Sequence, residues 1–104
     1  TLAVRPTALS ASERQDVALL TAAEAQLRLQ RETVKLVEEN RDLAKNEYEA
    51  GESSLVRLNE AQRDLITTYS RLAQAQAGYQ LAKQRLLAAT GRNLKALPML
   101  MPQP

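Results

Sequence analysis

The stretch NEYEAGESSLVRLNEAQRDL, residues 46–65, places one glycine and two adjacent serines between long charged runs. Gly51 supplies the left-handed residue that commonly ends a helix. Ser53 or Ser54 can then cap a second helix by accepting a backbone N–H bond. The stretch therefore reads as a single turn at the centre of a helical chain.

Working outward, Ser10 and Glu13 form a capping box, with Ser12 and Gln15 as an alternative a little later. Helix 1 is expected over about residues 11–50, the turn over 51–53 and helix 2 over about 54–90, with Gly91 stopping it. The hairpin thus spans residues 10–91. Residues 1–9, with Pro6, form a lead-in. Residues 92–104, with Pro98, Pro102 and Pro104, form a non-helical tail. Each helix is roughly 55–60 Å long at 1.5 Å per residue.

Helix 2 carries a seven-residue repeat. Leu58, Leu65, Leu72, Tyr79 and Leu86 make one line, and Ala61, Thr68, Ala75, Ala82 and Ala89 the line three residues on. These are the a and d positions of a coiled coil. Helix 1 carries Leu20, Leu27, Val34, Arg41 and Tyr48, with Ala23, Gln30, Val37 and Ala44 as companions. Folding back at Gly51 pairs positions whose numbers sum to 102. Leu20 then meets Ala82, Ala23 meets Tyr79, Leu27 meets Ala75, Gln30 meets Leu72, Val34 meets Thr68, Val37 meets Leu65 and Ala44 meets Leu58. Large side chains oppose small or medium ones in nearly every layer, which lets the layers interdigitate. The fold class is all-α: a long antiparallel two-helix coiled-coil hairpin.

Each helix has a second apolar line: Ala22, Leu29, Leu36, Leu43 and Ala50 on helix 1, and Ile66, Ala73 and Leu87 on helix 2, interrupted by Asn59 and Gln80. These lines lie roughly 130° from the seam. They fit either a broad amphipathic face in a small bundle or a closed ring in which every helix has two neighbours. In both cases hairpins associate, because exposed apolar stripes mark interfaces.

Composition removes most chemistry. There is no cysteine and no histidine, hence no disulfide, no thiolate metal site and no imidazole base. The only aromatics are three tyrosines. Residues 1–64 hold all twelve acids against nine bases, and residues 65–104 hold five bases and no acid. Those bases, Arg71, Lys83, Arg85, Arg92 and Lys95, are spread out and have no aromatic platform, so nucleic acid is not an expected partner. The longest apolar run, around residues 17–23, falls far short of the roughly 20 residues of a membrane-spanning helix. No signal peptide is evident. The first residue is Thr1, which reads as a processed or excised piece.

There is no phosphate-binding loop, metal-ligand run or activated serine, so no enzyme, cofactor or resident metal is expected. Glu38–Asp42 and Glu60–Asp64 are carboxylates four apart that could hold a cation weakly. Arg41, Lys45, Arg57 and Arg63 beside them make a solvated charged face the simpler reading. Glu24–Arg28, Lys35–Glu39 and Lys45–Glu49 are spaced as helix-surface pairs, worth a few tenths of a kcal/mol each. Gly78, in mid-helix, fits either close helix approach or simple tolerance. From Glu38 to Asp64 there are eight acids and four bases. This acidic turn region is a solvated tip, a docking surface or the mouth of a charge-selective conduit.

The ordered series Tyr48-Glu49-Ala50-Gly51, Leu55, Leu58, Glu60-Ala61-Gln62-Arg63-Asp64-Leu65 and Leu86-Leu87-Ala88-Ala89-Thr90-Gly91 resembles the TolC-like outer-membrane efflux family. That family's repeat reads Y-x-x-G, then an L-L-D-A-Q-x-x-L-like run, an alanine-rich helix and L-x-x-x-x-G. The resemblance covers about residues 13–91. It implies a trimeric channel with an outer-membrane barrel continued by helices as a periplasmic tunnel. The hairpin would belong to the second of two repeats. Its tip would close the tunnel and meet a periplasmic adaptor, with an inner-membrane transporter engaged indirectly. The E-A-Q-R-D-L wording lies nearer the metal-cation efflux branch. The chain has no alternating strand segments and no first repeat, so it reads as a fragment of such a channel.

By the same resemblance, Tyr48 matches a tyrosine that holds the closed state in some members. Gly51, flanked by Ala50 and Glu52, matches the adaptor-contact glycine, and Glu60 an acidic ring at the entrance. Ser53 stands where some members have a latch arginine, and Arg57 where they have another acid, so the latch network departs from the family pattern. Beside the channel reading stands a second: a non-catalytic coiled-coil module that only docks partners.

Overall fold

The structure is a computed structural model and describes residues 10–95, with side chains described as far as Gly91. Its fold is all-α. Helix α1 runs Ala11–Glu49 and α2 runs Leu55–Lys95, of 39 and 41 residues, packed antiparallel as a hairpin.

Local chemistry sets the helix ends. At the start of α1 the Glu13 N–H donates to Ser10 Oγ at 3.1 Å, and the Ser10 hydroxyl donates to Glu13 Oε1 at 3.2 Å. The Arg14 N–H meets the Ser10 carbonyl at 3.0 Å, the first bond of the helical ladder. Ser10, not Ser12, is therefore the cap.

The expected stop of helix 2 at Gly91 is not observed. Helix α2 passes through it to Lys95, so residues 92–95 of the expected non-helical tail are helical. Glycine inside a helix costs only about 1 kcal/mol relative to alanine, and Arg92, Leu94 and Lys95 are good helix formers. Glycine ends a helix when it turns left-handed, and among the described residues only Gly51 has a positive φ. The lead-in, residues 1–9, and residues 96–104 of the tail lie outside the described residues.

The chain divides into two compact units. The first comprises residues 25–77 and contains the turn. Its buried residues are Leu27, Val34, Ala44, Leu58, Ala61, Leu65 and Thr68, all on the heptad lines. Ala44 clusters with Leu58 and Ala61, so the layer nearest the turn pairs as the fold-back requires. Gln30, Val37, Leu72 and Ala75 are half-buried. Thr68 is the buried polar residue here, and its hydroxyl is satisfied by the Asp64 carbonyl at 2.7 Å. Gln30 is less well served: its Oε1 is buried without a hydrogen-bond partner.

The other unit holds residues 10–24 and 78–95 of the described chain. Ala82 and Ala89 are buried, and Leu20, Ala23, Tyr79 and Leu86 half-buried. Two helices alone cannot enclose a large side chain, and among the described residues none is fully buried. Gly78 has open space where a Cβ would sit, so close approach within the chain does not explain it.

Candidate functional site at the hairpin turn

The turn is built by a pair of interlocking caps. At the end of α1 the Gly51 N–H donates to the Tyr48 carbonyl at 3.0 Å, and the Glu52 N–H to the Glu47 carbonyl at 2.7 Å. With Gly51 at φ +76°, this is a complete Schellman motif. At the start of α2 the Arg57 N–H donates to Ser54 Oγ at 3.2 Å, and the Leu58 N–H to the Ser54 carbonyl at 3.3 Å. Ser54 is thus the cap, and Ser53 is left within the turn. No residue of the turn needs a special conformation except Gly51.

This local geometry places the sequence-expected tip residues on the solvent side. Tyr48, Ala50, Gly51, Glu52, Arg57 and Glu60 are all exposed. Tyr48 is 41% exposed although it lies on the seam line, because it is the last seam position before the turn and no facing layer covers it. Val56, at 65%, and Leu55, at 49%, add apolar surface beside it. The Glu60 side chain makes no ion pair or hydrogen bond among the described residues.

Arg57 is engaged. Its Nη1 donates to Glu47 Oε2 at 2.8 Å, joining the last turn of α1 to the first turn of α2. Glu47 was not singled out by the sequence reading. The two positions sum to 104, off the seam register of 102, so the register alone does not set them opposite each other and the reach of the two long side chains closes the pair. A second cross-helix contact was missed for the same reason. The Tyr69 hydroxyl donates to Glu38 Oε2 at 2.7 Å, flanking the seam. That hydrogen bond, then burial and the neighbouring carboxylate charges, raise the Tyr69 phenol above its ordinary 10.0, while Arg41 opposes the shift.

The surface charges pair differently from expectation. Arg41 Nε meets Asp42 Oδ1 at 2.8 Å. The expected pairs Glu24–Arg28, Lys35–Glu39 and Lys45–Glu49 do not close into ion pairs, in keeping with the small energy available to exposed pairs on one helix. Among the described residues no group of three His, Cys, Asp or Glu side chains could hold a metal ion.

Away from the seam a second surface is bare. In the unit around the turn, Leu29, Leu36 and Leu43 recur every seven residues on α1, at 51%, 66% and 52% exposure. Ile66 on α2 is 68% exposed. In the other unit Leu87 is also exposed. The seam residues Leu27, Val34, Leu58 and Leu65 are at 8% or less, so the two lines differ in environment and not in composition. Among the described residues no helix is long and apolar enough to cross a membrane.

Searches of curated proteins and of solved structures each found no match. The sequence profile described as outer membrane efflux protein matches residues 4–92, most of the chain. The chain therefore belongs to the outer membrane efflux protein family, a non-catalytic channel family whose members form trimers in tripartite pumps.

Proposed function

We propose that this chain forms part of the periplasmic α-helical tunnel of an outer-membrane efflux channel, with the turn at Gly51 as its adaptor-contacting tip. The channel is a passive conduit. The helices supply wall and the turn supplies the docking and closing end.

The observation that carries the reading is the exposed line Leu29, Leu36 and Leu43, with Ile66 on the other helix. A hairpin that only docked a partner through its tip would have no use for apolar side chains along its outer length. A tunnel wall requires them, since each helix then packs on a neighbour at both sides. Family membership supports the same reading. At the tip, the Tyr48, Glu52 and Glu60 side chains stand free in solvent around the capped turn, open to a contact.

The test is made in a channel carrying this hairpin. Tyr48→Ala and Glu60→Ala are introduced together. Closure is read from resting single-channel conductance, and adaptor binding by co-purification. The reading predicts a change in at least one of the two. If both stayed at wild-type level, the assignment of the tip would fail.

A further inference from the structure

The two helix ends that meet at the turn carry the wrong charges. A helix is favoured by acids in its first turn and bases in its last. Helix α1 has no base in its last turn, and α2 has no acid in its first. Instead Glu47 sits in the last turn of α1 and Arg57 in the first turn of α2. Each is repelled by its own helix end. Both are held there by the single contact between them, Arg57 Nη1 to Glu47 Oε2.

This differs from an ordinary surface ion pair. In such a pair, loss of the contact returns two side chains to water at little cost. Here the pair also offsets two unfavourable end charges, and it spans the one turn that joins the helices. The guanidinium offers five N–H donors, and the side chain is 49% exposed, so donors remain open to a competing carboxylate. The contact can be exchanged without unfolding either helix.

We propose that the Glu47–Arg57 pair is a clasp set against the dipoles of the helices it joins, which makes the turn a built-in release point. The seam fixes the hairpin below it, and the clasp leaves the last turn of α1 and the first of α2 free to rearrange at small cost. Its functional meaning, easy rearrangement of the tip on docking or opening, rests on the reading given above. The physical claim does not, and is tested on the chain alone.

The test is the charge exchange E47R/R57E. It keeps an opposite-charge pair across the turn and reverses its direction, so that both charges now suit their helix ends. Amide hydrogen exchange is followed at Gly51 and Glu52, whose N–H groups close the Schellman motif. At about 10 mM salt, where the Debye length is about 30 Å, the exchanged variant should protect these amides about tenfold more than wild type. At 1 M salt, where the Debye length is about 3 Å, the advantage should largely vanish. Altered packing or helix propensity would persist in salt. Equal or poorer protection at low salt, or an advantage that survives 1 M salt, overturns the proposal. E47Q/R57Q serves as a second variant. It removes both end repulsions together with the pair, and should be no less protected than wild type. A marked loss of protection would show that the pair is a plain stabilising bridge and would equally overturn the proposal.

Discussion

Replacing glycine by alanine should have opposite effects at two places in this chain. Gly51 has φ +76° and Gly78 sits inside α2, and a Cβ added at either meets nothing within 4 Å. Sterics with neighbours therefore drop out and backbone conformation decides. At position 51 alanine must hold a left-handed conformation at a cost of roughly 1–2 kcal/mol. It also narrows the unfolded ensemble, which offsets roughly 0.4–1 kcal/mol. The net loss is about 1 kcal/mol. At position 78 alanine is the better helix former by about 0.8–1.0 kcal/mol. A change of 1 kcal/mol moves the midpoint by about 4–8 °C in a domain of this size. Thermal melts followed by circular dichroism at 222 nm, at one fixed low concentration, should place Gly51→Ala below wild type and Gly78→Ala above it. The two should differ by about 8–16 °C. Shifts of the same sign would refute the reasoning: two rises would mean that left-handed geometry does not control the turn, and two falls that helix propensity does not decide position 78.

Other predictions follow from single contacts. Gln30→Leu removes a buried amide oxygen that has no partner in the seam, and should raise stability by about 1–3 kcal/mol in urea unfolding. Tyr69 should ionise above the ordinary phenol value of 10.0 in an alkaline absorbance titration. Its folded pKa is raised, so the stability it contributes is complete below its unfolded value of 10.0 and is lost as pH rises through the raised one. Glu38→Gln removes the principal cause, and the late component should move down. Leu36→Asp with Leu43→Asp places charge on the exposed line without touching the seam. Helix content should be kept while association, read by sedimentation, is lost.

The seam was legible because burial leaves a period in the sequence. Leu27, Val34, Leu58 and Leu65 repeat every seven residues and prove buried, while Leu29 and Leu36, two residues further on, repeat as well and prove exposed. Composition alone could not tell these lines apart. The fold-back could not separate them either, since Leu29 with Ala73 and Leu36 with Ile66 also sum to 102; burial in the structure separates them. The end of α2 was harder. Gly91 resembles Gly51 in the sequence, but a glycine stops a helix only when the following residues favour leaving it, and Arg92, Leu94 and Lys95 do not. The contacts Glu47–Arg57 and Tyr69–Glu38 were not legible one residue at a time. They lie beside the seam, where a pair depends on register and on the reach of long side chains.

The central claim is that the exposed apolar line is wall-forming surface, and the mass of the chain in solution tests it most directly. Multi-angle light scattering, with circular dichroism on the same sample, separates the outcomes. The account predicts a helical oligomer, a multiple of 11.5 kDa, that dissociates when Leu36 and Leu43 are charged. A stable, fully helical particle of 11.5 kDa would show that the line needs no neighbour and would contradict the account.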